Sequence, residues 1–140
     1  MASKSAKYWA CPDAVPVDRS LRPEDGWKLN IRWLIDEQRL GSRYGSVGYA
    51  VIPPSGGRHE LHVHDNAEEV SIYLRGRGLR IAGDERFEIG PGDVGFVPAG
   101  VPHALINLSD TEPIELFCIY LGASSVQKTG YRHIGNVTIE

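Results

Sequence analysis

At 140 residues the chain is the size of one domain, long enough to bury a core without disulfide or metal staples. Hydrophobic residues make up 41% and charged residues 24% of it, the balance of a globular chain and not of a disordered or membrane-embedded one. The formal net charge of −3 offers no basic footprint for nucleic acid or anionic lipid, so the expected partner is a small molecule and neither of those.

Residues 1–26 are polar and carry Pro12, Pro16 and Pro23, which predicts an irregular N-terminal arm. Nothing near Met1 builds the apolar stretch of a secretory signal, and no apolar run approaches the ~18 residues of a membrane helix. A cytoplasmic location is therefore expected. Cys11 and Cys118 lie far apart without a CxxC spacing and read as two unpaired thiols. Leu29, Ile31, Trp33 and Ile35 alternate with Lys28, Asn30, Arg32 and Leu34, and period two means strand. A second strand is expected over 44–52, ended by Pro53-Pro54-Ser55-Gly56-Gly57. Others follow at 58–64, 69–75, 78–82, 85–89, 93–97, 103–107 and 114–122, separated by turns such as Gly83-Asp84 and Gly90-Pro91-Gly92-Asp93. The sixteen glycines and nine prolines set this short rhythm. About nine short, evenly spaced strands predict an all-β chain, a single antiparallel β-barrel of jelly-roll type over 27–125. A tail over 126–140 is polar up to Tyr131-Arg132-His133-Ile134, and His133 there is assigned no role.

The chemistry concentrates in the middle third. His62 and His64 stand two apart on an expected strand, so both imidazoles leave the same face, close enough to meet one ion. Glu69 opens the next strand after the turn at 65–67 and would offer an oxygen ligand; Glu68 competes, but only one of the two can point inward. Ser71 and Tyr73 share the face of Glu69, which makes Tyr73 a candidate acid or hydrogen-bond donor. His103 follows the rigid turn Pro98-Ala99-Gly100-Val101-Pro102, whose prolines fix φ and aim the next side chain. Glu60 has the parity of His62 and His64, so a catalytic or substrate-facing role is open to it. His59 has the opposite parity and is expected to point away. Tyr44 and Tyr49 lie on a strand that borders the expected cavity, with no direction assigned. The basic run Arg75-Gly76-Arg77-Gly78-Leu79-Arg80 reads as a solvated hairpin, since no helix follows to make it a phosphate loop.

These residues resemble a known family. Gly56-x5-His62-x-His64-x4-Glu69-x6-Gly76 resembles the first motif of the cupins, and Gly92-x5-Pro98-x-Gly100-x2-His103-x3-Asn107 resembles the second, every fixed position filled. The fifteen residues between the motifs match the short spacing of small single-domain cupins. The resemblance implies a double-stranded β-helix with a metal inside, held by His62, His64, Glu69 and His103. Gly76, Gly92, Pro98 and Gly100 would then be turn residues and Asn107 a structural position. It also implies one divalent transition metal, with Fe2+ favoured and Mn2+, Ni2+ or Zn2+ compatible with the ligand set, and a homodimer in which N-terminal segments cover the partner. Cupin activities scatter widely, so the fold does not choose a reaction. The favoured expectation is a dioxygenase acting on a small oxygenated or aromatic substrate coordinated to the metal. The alternatives are a non-oxidative isomerase, lyase or decarboxylase, and a non-catalytic small-molecule-binding domain.

Overall fold

Strands account for most of the ordered backbone in the computed structural model, which describes residues 6–139; the first five residues of the expected arm and the last of the expected tail lie outside the described residues. In chain order the strands are β1 (Trp27–Lys28), β2 (Asn30–Ile35), β3 (Gly45–Ile52), β4 (Arg58–His64), β5 (Glu68–Arg75), β6 (Gly78–Ala82), β7 (Glu85–Ile89), β8 (Val94–Val97), β9 (His103–Asn107), β10 (Ile114–Leu121) and β11 (Tyr131–Gly135). Four of them, β4, β6, β7 and β9, have the bounds that hydrophobic alternation and turn chemistry predict.

Two antiparallel sheets form, one in the order β1-β4-β9-β6-β7, with β11 also paired to β4, and the other β2-β3-β10-β5-β8. The chain passes repeatedly from one sheet to the other, as a jelly roll requires. The core lies between them: Ile31, Ala50, Ile52, Tyr73, Ile114 and Leu116 from the five-stranded sheet meet Ile89 and Leu105 from the six-stranded one. Gly76 shows why a motif position is glycine. Its φ is +84°, and a Cβ there would stand 2.2 Å from the Pro113 carbonyl oxygen. Asn107 ties the end of β9 to its neighbours, donating to the carbonyls of Ile52 (3.1 Å) and Glu112 (2.8 Å) and accepting from the Ser109 amide (2.9 Å).

The described part of the arm is irregular apart from 3-10 turns at Pro12–Ala14 and Pro23–Asp25, and it lies on its own barrel. Asp18 N donates to Ile31 O at 2.8 Å, Trp33 Nε1 donates to Asp18 Oδ2 at 2.8 Å, and Arg32 Nη1 donates to the carbonyls of Pro12 and Val15. The tail does more than polarity predicts. After a 3-10 turn at Val126–Lys128, β11 pairs with β4 in the register Tyr131↔His64 and His133↔His62, alongside the histidine pair. Among the described residues no helix is long and apolar enough to cross a membrane.

Candidate metal centre

The two sheets meet at a cluster of four buried residues. His62 and His64 come from β4 and His103 from the start of β9, directly across from His62; Glu69 comes from β5 in the opposite sheet. One ligand atom from each lies within 4.8 Å of the others. A single ion with bonds of about 2.1 Å would draw that set in by a fraction of an ångström. Gly100 helps to place His103: at φ +80° its amide donates 2.9 Å to the His64 carbonyl, which locks the turn before β9 onto the strand that carries the other two histidines.

Hydrogen bonds at the far side of each ring fix which nitrogen is free. His62 Nδ1 donates to the Glu60 carbonyl at 2.7 Å and His103 Nδ1 to the Val101 carbonyl at 2.9 Å. His64 Nδ1 lies 2.8 Å from Thr129 Oγ1, and the Thr129 hydroxyl spends its own proton on the Val126 carbonyl at 2.8 Å. The hydroxyl must therefore accept from His64. All three Nδ1 atoms carry a proton; Nε2 of His62 and of His64 is left with a lone pair facing the cluster, and Nε2 of His103 is hydrogen-bonded to Glu69 Oε1 at 3.3 Å. Nε2 of His62 and of His64 are buried without a hydrogen-bond partner, a condition that costs about 1–3 kcal/mol per atom unless something is bound there.

The carboxylate is oriented in the same way. Glu69 Oε1 lies 3.4 Å from His64 Nε2 and 3.3 Å from His103 Nε2, while Oε2 accepts from Arg80 Nη2 at 2.8 Å and from Ser71 Oγ at 3.1 Å. Burial alone would raise the Glu69 pKa, but His103, His64 and Arg80 overcome it and hold the carboxyl well below the usual range. Burial, with His59 and His103 nearby, holds the His62 imidazole well below its ordinary value. An ionised carboxylate and a neutral imidazole are the states that coordination needs. The donor set, nitrogen and oxygen without thiolate, suits a divalent transition metal.

On β5 the polar face is the inner one: Glu69, Ser71 and Tyr73 are buried, while Glu68 is exposed. Tyr73 is 1% exposed and packs among Ile31, Ile89 and Leu116, its hydroxyl without a hydrogen-bond partner and its pKa raised by burial. Tyr49 points outward to Glu115, and Tyr44 is exposed. Glu60 is a correction. A bulge in β4 between His59 and His62 breaks the alternation. It sends the Glu60 carboxylate away from the cluster, where it accepts from Lys28 Nζ at 2.6 Å and from the Val137 amide at 3.0 Å. Only its backbone carbonyl serves the site. The same bulge corrects His59, which turns inward, stacks on His62 with ring centroids 3.5 Å apart and lines the inner cavity.

Arg80 is the third correction. It is 3% exposed and ion-paired to Glu69 inside the barrel, not part of a solvated hairpin. Period two could not show this: Arg80 stands between Leu79 and Ile81, apolar residues that alternation would turn inward, and only its pairing opposite Leu105 places it inside. Cys118 also lines the cavity, its thiol pushed up by burial. The cavity beside Glu69 measures about 20 Å³, and its walls are mostly apolar, including Ile31, Ala50, Ile52, Leu105 and Leu116.

Comparison with known proteins gives this geometry relatives. A family model described as a cupin domain matches residues 48–120. Uncharacterized protein MJ1618 of Methanocaldococcus jannaschii is 36% identical over 73 residues, 52% of this chain and 57% of that one. The chain thus spans little more than half the length of that relative. The polyketide cyclase RemF from Streptomyces resistomycificus shares the fold over 100% of this chain and 88% of its own, with a TM-score of 0.71 and 20% identity. An oxalate decarboxylase of Bacillus subtilis, studied for its Mn(II) centres, matches 69% of this chain and 26% of its own, with a TM-score of 0.62 and 23% identity.

Proposed function

The chain belongs to the cupin domain family, and from there we propose that it is a metal-dependent enzyme in which His62, His64, Glu69 and His103 hold one divalent transition-metal ion. One observation carries this reading: the Nε2 atoms of His62 and His64 are buried and unpartnered while hydrogen bonds hold the opposite nitrogen of each ring. When bound, the ion supplies a Lewis acid for an oxygen-bearing substrate and, if it is redox-active, a place for dioxygen beside it. The chain's own residues do the remaining work. Glu60, Thr129 and Val101 hold the three imidazoles in register, and Arg80 and Ser71 hold Glu69 ionised with one oxygen turned to the cluster. The apolar wall excludes water, which strengthens every electrostatic interaction inside it.

The specific activity we propose is oxidation of a small oxygenated or aromatic compound, of the dioxygenase type, with Fe2+ as the ion. The mixed nitrogen and oxygen donors suit iron, as they also suit Mn2+, Ni2+ and Zn2+. Protein reconstituted anaerobically with Fe2+ and then exposed to air should consume oxygen in proportion to product with at least one of a panel of catechols and 1,3-diketones, followed with an oxygen electrode. Turnover that continues unchanged under argon with Mn2+ or Zn2+ would count against oxidation. It would favour the second reading, a non-oxidative lyase, isomerase or cyclase, which draws its support from the full-length likeness to a protein named as a polyketide cyclase.

A further inference from the structure

Arg80 has more donors than the protein uses. A guanidinium carries five N–H groups in a planar fork. Among the described residues only Nη2 is engaged, donating to Glu69 Oε2 at 2.8 Å and weakly to Ser71 Oγ at 3.4 Å; Nε and Nη1 meet no acceptor. The side chain lines the inner cavity, where Glu69 is the one carboxylate among the described lining residues. This cation is thus buried against its only counter-ion with donors left over, beside a chamber whose other walls are largely apolar.

The charges point the same way. Arg80 and Glu69 cancel, and three neutral imidazoles add nothing, so the two positive charges of a bound divalent ion stand uncompensated in a low-dielectric space. Whatever enters beside the ion is favoured if it brings negative charge and can accept hydrogen bonds. We propose that Arg80 and the open side of the metal centre form one composite site that takes its ligand as an oxyanion: an enolate, a phenolate or a carboxylate. The anionic oxygen would accept from the guanidinium donors that Glu69 leaves free, and the hydrocarbon body would lie against Ile31, Ala50, Ile52, Leu105 and Leu116. This rests on the metal-centre reading given above. At about 20 Å³ the cavity admits little more than one water-sized group, so even a small organic anion requires its walls to give. A larger body requires Trp27 to yield, because Trp27 lines both this cavity and an outer groove of about 330 Å³ bounded by Leu21, Asp25, Tyr131 and His133.

Cobalt makes the site visible, since the absorption of Co2+ reports its ligands. Wild type, Arg80→Lys and Arg80→Met are loaded with Co2+, their metal content is measured, and each is titrated with formate, a small oxyanion, and with imidazole, a small neutral ligand. Formate should perturb the spectrum of the wild type. Arg80→Met should weaken formate by about tenfold or more, the weight of one charge-assisted hydrogen bond, and leave imidazole unchanged. Arg80→Lys, which keeps the charge and loses the fork, should fall between. Metal-replete Arg80 variants that bind formate as tightly as the wild type overturn the proposal and leave the metal centre standing. A wild-type protein that takes up no Co2+ overturns both. If Arg80→Met does not fold, Arg80→Lys decides alone: an equal formate affinity refutes the composite site, and a selective loss supports it.

Discussion

Because the Thr129 hydroxyl donates to Val126 and accepts from His64, valine at that position would remove the group that keeps the proton on His64 Nδ1. Thr129→Val should still fold, since the residue is fully buried and the two side chains are close in shape. Its metal affinity, read by competition with a chromophoric chelator, should fall about 10- to 100-fold, and Thr129→Ser should recover most of the loss. An unchanged affinity would mean that the hydroxyl does not set the tautomer. At this scale the ligands were legible because each stands at a motif position that local geometry can test: two histidines on one strand face, an acid beyond a turn, a third histidine after a proline-fixed turn. Thr129 and Arg80 were not. Neither has a motif, and what each does depends on a partner far away in sequence, 65 residues for Thr129 and 11 for Arg80.

Among the elements, alternation located the strands well and failed where a strand is bulged. Period two assigns Glu60 to the ligand face and His59 to the opposite one, and the extra residue in β4 exchanges them. No residue type in Arg58-His59-Glu60-Leu61 announces a bulge, so the exchange is visible only in the register with β9. The tail misled for a related reason. Strand β11 is half polar because one side of it faces solvent, and only its pairing with β4 shows that it belongs to the sheet. The arm carries a pH dependence. Burial would raise the Asp18 carboxyl, but hydrogen bonds from Ser20 and Trp33 outweigh it and hold the group below its ordinary 3.8. A carboxylate with a lowered folded-state pKa stabilises the docked arm above that ordinary value and stops doing so as pH falls through the lower one. Tryptophan emission should therefore stay flat from neutral pH to about 4 and change below it. Asp18→Asn should remove that step while the remaining acid transition persists.

For the molecule as a whole, the outer face of the five-stranded sheet is unexpectedly apolar. One row across four strands reads Phe96, Val70, Ile119 and Val47, and the next reads Val94, Ile72, Phe117 and Tyr49. Phe96 is 55% and Val94 65% exposed, and contiguous apolar surface of this kind marks an interface more often than bare solvent contact. We propose this face as the contact of the expected homodimer, packed about a two-fold axis so that each copy covers the same patch on the other. The arm meets the far end of the second row at Arg32, opposite Tyr49: the Arg32 guanidinium donates to the carbonyls of Pro12 and Val15, while the exposed Phe96 and Val94 lie at the other end of the sheet. Light scattering should give twice the chain mass for the wild type and the single chain mass for Phe96→Glu; a monomeric wild type at tens of micromolar would rule the contact out.

Three histidines belong to one layer, their carboxylate companion to the other, and a guanidinium reaches across to brace it. Whatever occupies the junction is therefore gripped from both sides. Its binding free energy adds to the resistance of the whole domain to melting. The denaturation midpoint becomes a gauge of occupancy: each candidate ion or small molecule can be ranked by the degrees it adds, before any reaction has been found.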